Sequence, residues 1–273
     1  MINTIASLFK YGFFVNALII GILISLCAAL LGISLVLKRY SMIGDGLSHV
    51  GFGATAVAVA MGVAPLYISV PVVIVAAFLL LKLGNISKIK GDAGIALISS
   101  SALAIGYTVI KLTNSGNIDI SNYMFGSIYT VNTTDTVITV ALSLMVLILY
   151  AVFYNKLFSV TFDEEFAKAT GIKTSFYNSL LACLTAITVV IGMRMMGALL
   201  ISSLIIFPVL SASRVCKSYK SVIISSAVIS VICFVIGLIL SVIMETSPGS
   251  SVVISNLIVF VILSAAGKIF KIN

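Results

Sequence analysis

The chain has 273 residues, of which 61% are hydrophobic and only 9% are charged. Because a soluble domain carries about 25% charged residues, this composition excludes a water-soluble globular protein and predicts an all-α, polytopic membrane protein. The net charge of +8 is spread over short hydrophilic gaps instead of one soluble face, so it indicates orientation in a lipid membrane and no nucleic-acid partner. The cysteines lack CxxC spacing, which argues against a disulfide or metal cluster at Cys27, Cys183, Cys216 and Cys233.

Nine apolar segments are predicted to cross the membrane as helices, within a single domain that covers residues 1–273. The break between the sixth and seventh segments is short and is expected around Arg194. The predicted spans are 12–37, 43–64, 66–83, 93–112, 136–154, 176–193, 197–213, 221–243 and 251–267.

The placement of charges predicts the orientation of these spans. With nine spans, most basic residues fall in gaps on one side, and the opposite gaps contain little more than Asp119, Asp135, Arg194 and Glu245. The positive-inside rule therefore places the N-terminus outside and the C-terminus in the cytoplasm. The basic residues on the cytoplasmic side are Lys38, Arg39, Lys82, Lys88, Lys90, Lys156, Lys168, Lys173, Arg214, Lys217, Lys220, Lys268 and Lys271.

The second apolar segment contains two ionisable residues, Asp45 and His49, and His49 is the only histidine in the chain. Residues four apart lie on the same face of a helix. Ionisable groups cost about 2.5–3.5 kcal/mol each inside a membrane span, so they indicate function by default. A neutralising structural pair and a proton relay are two interpretations. A binding site for Zn²⁺, Mn²⁺ or Fe²⁺ is the preferred one, since carboxylate oxygen and imidazole nitrogen suit these ions.

Two side chains are fewer than the four or more ligands that such ions prefer. Water or a second copy of the chain, related by a two-fold axis, would complete the shell. Gly44 and Gly46 flank Asp45, and Gly51 and Gly53 follow. These glycines predict either close helix packing or a locally unwound helix that exposes its carbonyls to an ion.

A short amphipathic helix is predicted in the gap after the fifth span. Asp163 is its expected N-cap, Glu164 and Glu165 suit a first turn, and Gly171 is its expected end. Phe162 and Phe166 share one face with Ala169. The helix is either an idle connector along the membrane or a plug that fits a groove on a cytosolic partner.

Two further segments are less specific. Small residues from Gly197 onwards precede Pro208, which is typical of a bent and closely packed helix with a structural or gating role. Residues 113–134 contain an aromatic cluster, which predicts either interfacial anchoring or part of an outer gate.

Four segments together resemble one family, the ABC-3 permeases of bacterial zinc, manganese and iron ABC importers. Gly44-Asp45-Gly46-Leu47-Ser48-His49 is similar to its G-D-A-L-S-H segment, with Gly46 in place of the usual alanine. The segment from Phe162 to Ile172 resembles its cytoplasmic coupling helix. The stretches Gly197–Pro208 and Tyr123–Ser127 resemble its G-x-L-L…P segment and its outer loop.

The resemblance implies a multi-pass permease of the bacterial cell membrane, formed by two identical chains. Cytosolic ABC ATPase subunits would drive it, and an extracytoplasmic metal-binding protein would deliver the ion. Asp45 and His49 would be metal ligands on the path. Zinc is the first expectation for the transported substrate and manganese the second, with no permanently bound cofactor.

No G-x-x-x-x-G-K-[ST] phosphate loop occurs in the chain, so ATP hydrolysis is expected on a separate partner subunit. The chain itself is not expected to be an enzyme, because no second catalytic acid or nucleophile is placed near His49. The main alternative is a secondary transporter or channel that uses Asp45 and His49 for protons or ions. A permease for a larger chelate and a non-transporting membrane subunit or sensor are further alternatives.

Overall fold

The computed structural model describes residues 12–86, 91–113, 126 and 133–269. These residues form eleven helices and no strand, so the all-α prediction is confirmed for the described part of the chain. Lys88, Lys90, Asp119 and Lys271, four of the charges used to predict orientation, lie outside it. The helices are α1 (Gly12–Leu37), α2 (Ile43–Ala60), α3 (Pro65–Ile86), α4 (Gly91–Leu112), α5 (Thr133–Val152), α6 (Tyr154–Phe162), α7 (Glu164–Ala169), α8 (Thr174–Met196), α9 (Ala198–Ser213), α10 (Tyr219–Ile243) and α11 (Pro248–Ile269).

Five of these helices are long and apolar enough to cross a membrane: α1, α4, α8, α10 and α11. The pair α5 and α6 makes a sixth candidate if it counts as one span, although the two helices are bent by 71°. Apolar stretches of α3 (Pro65–Leu80) and α9 (Ala198–Ser213) are shorter. A helix lies at each of the nine predicted positions, but length and composition support five or six spans, so the number nine stays a prediction.

Several helix ends differ from the expected span limits, and local backbone chemistry explains two of the differences. The helix α2 ends at Ala60 instead of residue 64, because Gly62 adopts φ +69° and Val63 donates to the carbonyl of Ala58 at 2.9 Å. The break after α8 lies at Gly197, three residues beyond Arg194, and φ +95° there strongly favours glycine. The fifth span bends at Phe153, and α6 continues into the region predicted as a charged gap.

The centre of the bundle is formed by α1 and α8, whose apolar windows are 67% and 72% buried, against 22% in α4 and α11. The helix α2 packs against α3, α4, α8 and α9, so it is enclosed on several sides. Small polar residues enter this core because helical carbonyls accept their hydrogen bonds: Thr185 donates to the carbonyl of Leu181 at 2.7 Å. Ser230 of α10 donates across to the carbonyl of Ser25 of α1 at 3.0 Å.

Candidate functional site

Asp45 and His49 lie on the same face of α2, as the four-residue spacing predicts. The distance between Asp45 Oδ2 and His49 Nε2 is 3.6 Å, and the side chains are 41% and 21% exposed, respectively. This separation is too long for a hydrogen bond. It leaves room for a cation about 2.1 Å from each atom, which is the usual distance of zinc to carboxylate oxygen and imidazole nitrogen. The arrangement is therefore chemically able to chelate one divalent ion.

The position of the pair on α2 sets the environment of the two side chains. Asp45 lies in the first turn of α2, where the helix dipole favours a negative charge. The Ser48 hydroxyl donates to the carbonyl of Asp45 at 2.7 Å. Within the described residues His49 Nδ1 is buried without a hydrogen-bond partner, and no group of three or more His, Cys, Asp or Glu side chains is close enough to share a metal ion. Asp45 and His49 thus lie close enough to offer two ligands to one ion, and their role as metal ligands stays a prediction.

The glycines around the pair lie in regular helix, so local unwinding of α2 is not observed. A Cβ atom on Gly44 would lie 2.8 Å from Ile205 Cδ1 of α9. A Cβ atom on Gly46 would lie 2.5 Å from Ile95 Cγ2 of α4. Neighbouring helices therefore pack against both sides of the Asp45 turn. Ile95 occupies the space that the methyl group of an alanine at position 46 would fill, and no local sequence pattern indicates this contact.

Gly46→Ala is expected to destabilise the chain by about 1–2 kcal/mol, because overpacking against Ile95 outweighs the gain in helix propensity. In an Ile95→Ala background the same change is expected to cost about 1 kcal/mol less, since the two side chains compete for one space. Thermal unfolding of the four detergent-purified variants measures this coupling. Additive effects of the two substitutions would contradict the contact.

The short helix α7 has the ends that the sequence predicts. The Asp163 carboxylate accepts a hydrogen bond from the Phe166 amide at 2.9 Å, which makes Asp163 the N-cap. Gly171 has φ +82°, and the Ile172 amide donates to the carbonyl of Ala167 at 2.9 Å, which ends the helix. The helix is seated through Ala167, which is fully buried.

The aromatic face of this region points outward. Phe162 is 72% exposed and Phe166 is 64% exposed, and Glu165 and Ala169 are exposed as well. An exposed pair of phenylalanines beside carboxylates is a surface on which a protein partner can dock.

Glu164 faces the other way and joins a cluster that the sequence analysis did not find. Its Oε2 atom lies 3.4 Å from Lys38 Nζ and accepts a hydrogen bond from Asn178 Nδ2 at 3.1 Å. Lys38 Nζ also donates to Asn178 Oδ1 at 2.6 Å. These three residues, the Lys38–Glu164–Asn178 cluster, border a cavity of about 200 Å³ that is also lined by Tyr40, Val160, Thr161 and Leu181.

Burial and the neighbouring charges shift the pKa values of both charged groups in the cluster. Burial lowers the pKa of Lys38 below the ordinary lysine value, and the Glu164 carboxylate opposes this effect. Burial also disfavours the charged form of Glu164, but the Asn178 hydrogen bond and the charges of Lys38 and Lys168 outweigh it, so the pKa of Glu164 is lowered. The Glu164 carboxylate and the Lys38 side chain thus each favour the charged form of the other.

Gly197 lies at the junction of two helices, and Pro208 lies inside the second of them. Gly197 is both the end of α8 and the start of α9. Gly126 contacts the Met196–Gly197 peptide so closely that it has no room for a side chain, so this residue lies against the break between α8 and α9. Pro208 is buried within α9. The predicted aromatic residues Tyr123 and Phe125 lie outside the described residues.

Comparison with known proteins finds similarity along nearly the whole chain. Residues 10–267 match the ABC 3 transport family. The high-affinity zinc uptake system membrane protein ZnuB of Haemophilus influenzae is 31% identical over 246 residues, which cover 90% of this chain and 94% of that protein. The manganese import system permease protein ScaB of Streptococcus gordonii is 29% identical over 258 residues, 94% of this chain and 92% of its own length.

The fold is also similar to a solved structure, PsaBC from Streptococcus pneumoniae in complex with Fab. The TM-score is 0.86 at 31% sequence identity, and the match covers 96% of this chain and 95% of the other. Because the family match covers nearly all of the sequence, the chain belongs to the ABC 3 transport family.

Proposed function

We propose that this chain is the membrane-spanning permease subunit of an ABC importer for divalent transition-metal cations, with zinc as the first candidate substrate and manganese as the second. The observation that carries the proposal is the Asp45/His49 pair, an oxygen and a nitrogen ligand 3.6 Å apart and partly exposed on α2. Two relatives of nearly full-length similarity, named for zinc uptake and manganese import, support the same substrate class.

The pair binds the transported ion transiently on its path through the membrane. A site with two protein ligands binds an ion less tightly than a complete structural site, and a transport site must release its ion. Water or the same pair from a second permease chain completes the coordination shell. In a homodimer, two Asp45/His49 pairs would face each other across the two-fold axis.

The permease lies in the bacterial cell membrane with nine spans, an outer N-terminus and a cytoplasmic C-terminus. This orientation puts the Phe162–Ile172 segment in the cytoplasm, where the exposed Phe162 and Phe166 side chains contact an ATPase subunit. ATP binding and hydrolysis on two such subunits would switch the permease between outward-open and inward-open states. Such a movement would rearrange the helix contacts at Gly44, Gly46, Gly197 and Pro208. An extracytoplasmic metal-binding protein delivers the ion.

Reconstitution tests the proposal. The full-length chain is co-expressed with ABC ATPase subunits and reconstituted into vesicles together with the metal-binding protein. Uptake of zinc and manganese is then measured with and without ATP. We expect uptake that requires ATP, and direct competition between the two ions ranks them as substrates.

The secondary transporter or channel makes the opposite prediction. Such a protein would move protons or metal ions in vesicles that contain the chain alone, driven by an ion gradient. Gradient-driven flux without the ATPase would therefore overturn the importer proposal.

A further inference from the structure

The segment between α1 and α2, residues 38–42, leads directly into the Asp45 turn. The Tyr40 amide donates to the carbonyl of Leu35 at 2.8 Å, which closes the end of α1. The Ile43 amide donates to the carbonyl of Tyr40 at 3.0 Å, and the Gly46 amide donates to that of Met42 at 3.0 Å. The last two hydrogen bonds tie the segment that follows Lys38 to the first turn of α2, so displacement of this segment is transmitted to Asp45.

The Lys38 side chain extends from this segment to Glu164 and Asn178. It is only 12% exposed, and its ammonium group contacts both Glu164 of α7 and Asn178 of α8. Because Asn178 also donates to Glu164, each of the three side chains contacts the other two. The cluster therefore connects the α1–α2 segment, the short helix α7 and the central helix α8.

The helix α7 is well suited to move as one piece with this cluster. Its six residues are too few to form a stable helix alone, so its position depends on its contacts. Glu164 also lies 3.5 Å from Lys168, but that lysine is 59% exposed, and exposed pairs contribute little. Separating Glu164 from Lys38 instead leaves a largely buried ammonium group without its carboxylate, which is unfavourable.

We propose that the Lys38–Glu164–Asn178 cluster is the link through which movement of the Phe162–Ile172 segment reaches Asp45 and His49. Lys38 and Glu164 are positioning residues in this account, since neither contacts the transported ion. The inference rests on the proposed function, because it assigns the cluster to the coupling between ATPase and ion site. The link is mechanical and needs no change in protonation.

Hydrogen–deuterium exchange of the full-length chain in detergent tests the link without any partner. Glu164→Gln removes the carboxylate charge inside the cluster, and Glu165→Gln removes the neighbouring charge on the exposed side of the same helix. We expect Glu164→Gln to speed amide exchange in residues 38–49 by about tenfold, in the range of measured couplings between sites. Glu165→Gln should leave this segment unchanged. Equal exchange in both variants would overturn the inference.

Lys38→Arg and a charge exchange keep the test informative if Glu164→Gln folds poorly. Lys38→Arg retains the charge and should retain slow exchange in residues 38–49. The double variant Lys38→Glu with Glu164→Lys should recover part of the protection that either single variant loses. A double variant no better protected than the singles would contradict a direct pairing.

The reconstituted complex provides the functional readout. With zinc chloride or manganese chloride as the probe, Glu164→Gln is expected to hydrolyse ATP and to co-purify with the ATPase, but to import about tenfold less metal per ATP. Loss of co-purification would contradict the inference, because it would assign Glu164 to docking. Normal import per ATP would also overturn it while leaving the proposed function intact. If the unaltered complex imports no metal, the proposed function fails, and the exchange experiment still decides whether the link exists.

Discussion

Asp45→Ala and His49→Ala are each expected to lower ATP-driven metal uptake at least about 100-fold while the permease still assembles with its ATPase. Each substitution removes one of the two side chains that we propose as metal ligands on α2. Loss of a residue that merely orients a ligand reduces metal affinity about 10- to 100-fold, so loss of a ligand itself should cost at least as much. Uptake of radioactive zinc and manganese by vesicles measures the effect.

Two controls separate ligation from folding. Asp45 is 41% exposed, so its replacement should change the free energy of unfolding by only about 0.5 kcal/mol. Glu245→Gln removes an exposed carboxylate outside the site and should leave uptake unchanged. Normal uptake by both Asp45→Ala and His49→Ala would show that neither side chain is a ligand.

Gly53→Ala is expected to destabilise the bundle by about 3 kcal/mol, the upper part of the usual range for overpacking. A Cβ atom on Gly53 would lie 2.6 Å from the carbonyl oxygen of Ala102 and 3.2 Å from its carbonyl carbon. Both are backbone atoms of α4, so no side chain can rotate away. At the same contact between α2 and α4, a Cβ atom on Gly106 would lie 2.8 Å from Gly53 Cα. The helices α2 and α4 therefore meet backbone to backbone, as small residues allow in membranes.

Gly94→Ala is the matched control, because it makes the same substitution in the partner helix where a Cβ would meet nothing within 4 Å. Because alanine has a higher helix propensity than glycine, Gly94→Ala should raise the free energy of unfolding by up to about 1 kcal/mol. Thermal unfolding in detergent compares the two variants. Equal stability of Gly53→Ala and Gly94→Ala would contradict the close approach of the two helices.

These results would assign two tasks to different parts of α2. Its first turns hold Asp45 and His49 within reach of an ion, and its later turns press against α4 at Gly53. An ion site on a helix that is tightly packed further along cannot move independently of its neighbours.

Much of the structure follows from local sequence and was predictable. Long apolar segments predict helices, because a backbone in lipid must satisfy its own hydrogen bonds. The four-residue spacing of Asp45 and His49 places them on one face, since helix geometry repeats every 3.6 residues. Asp163 and Gly171 mark the ends of α7 for equally local reasons, a carboxylate that accepts an amide hydrogen bond and a backbone with positive φ.

Contacts between distant residues were decided only by the tertiary structure. Lys38 and Glu164 are separated by 126 positions, and Lys38 and Asn178 by 140. Lys38 carries a clear sequence signal as a charge at the end of an apolar segment, but no periodicity indicates which acid it meets. The same holds for Ile95 at Gly46, because the partner of a small residue depends on how two helices cross.

The sequence by itself determined that the chain forms membrane helices, that two ionisable residues share one face, and that a capped helix precedes α8. The tertiary structure determined which groups these features meet: Ile95 beside the Asp45 turn, Lys38 and Asn178 behind Glu164, and Gly126 against the break at Gly197. The physical reason is the range of the interactions. Hydrogen bonds within a helix and its capping bonds join residues a few positions apart, whereas packing and ion pairs join residues that only the completed bundle brings together.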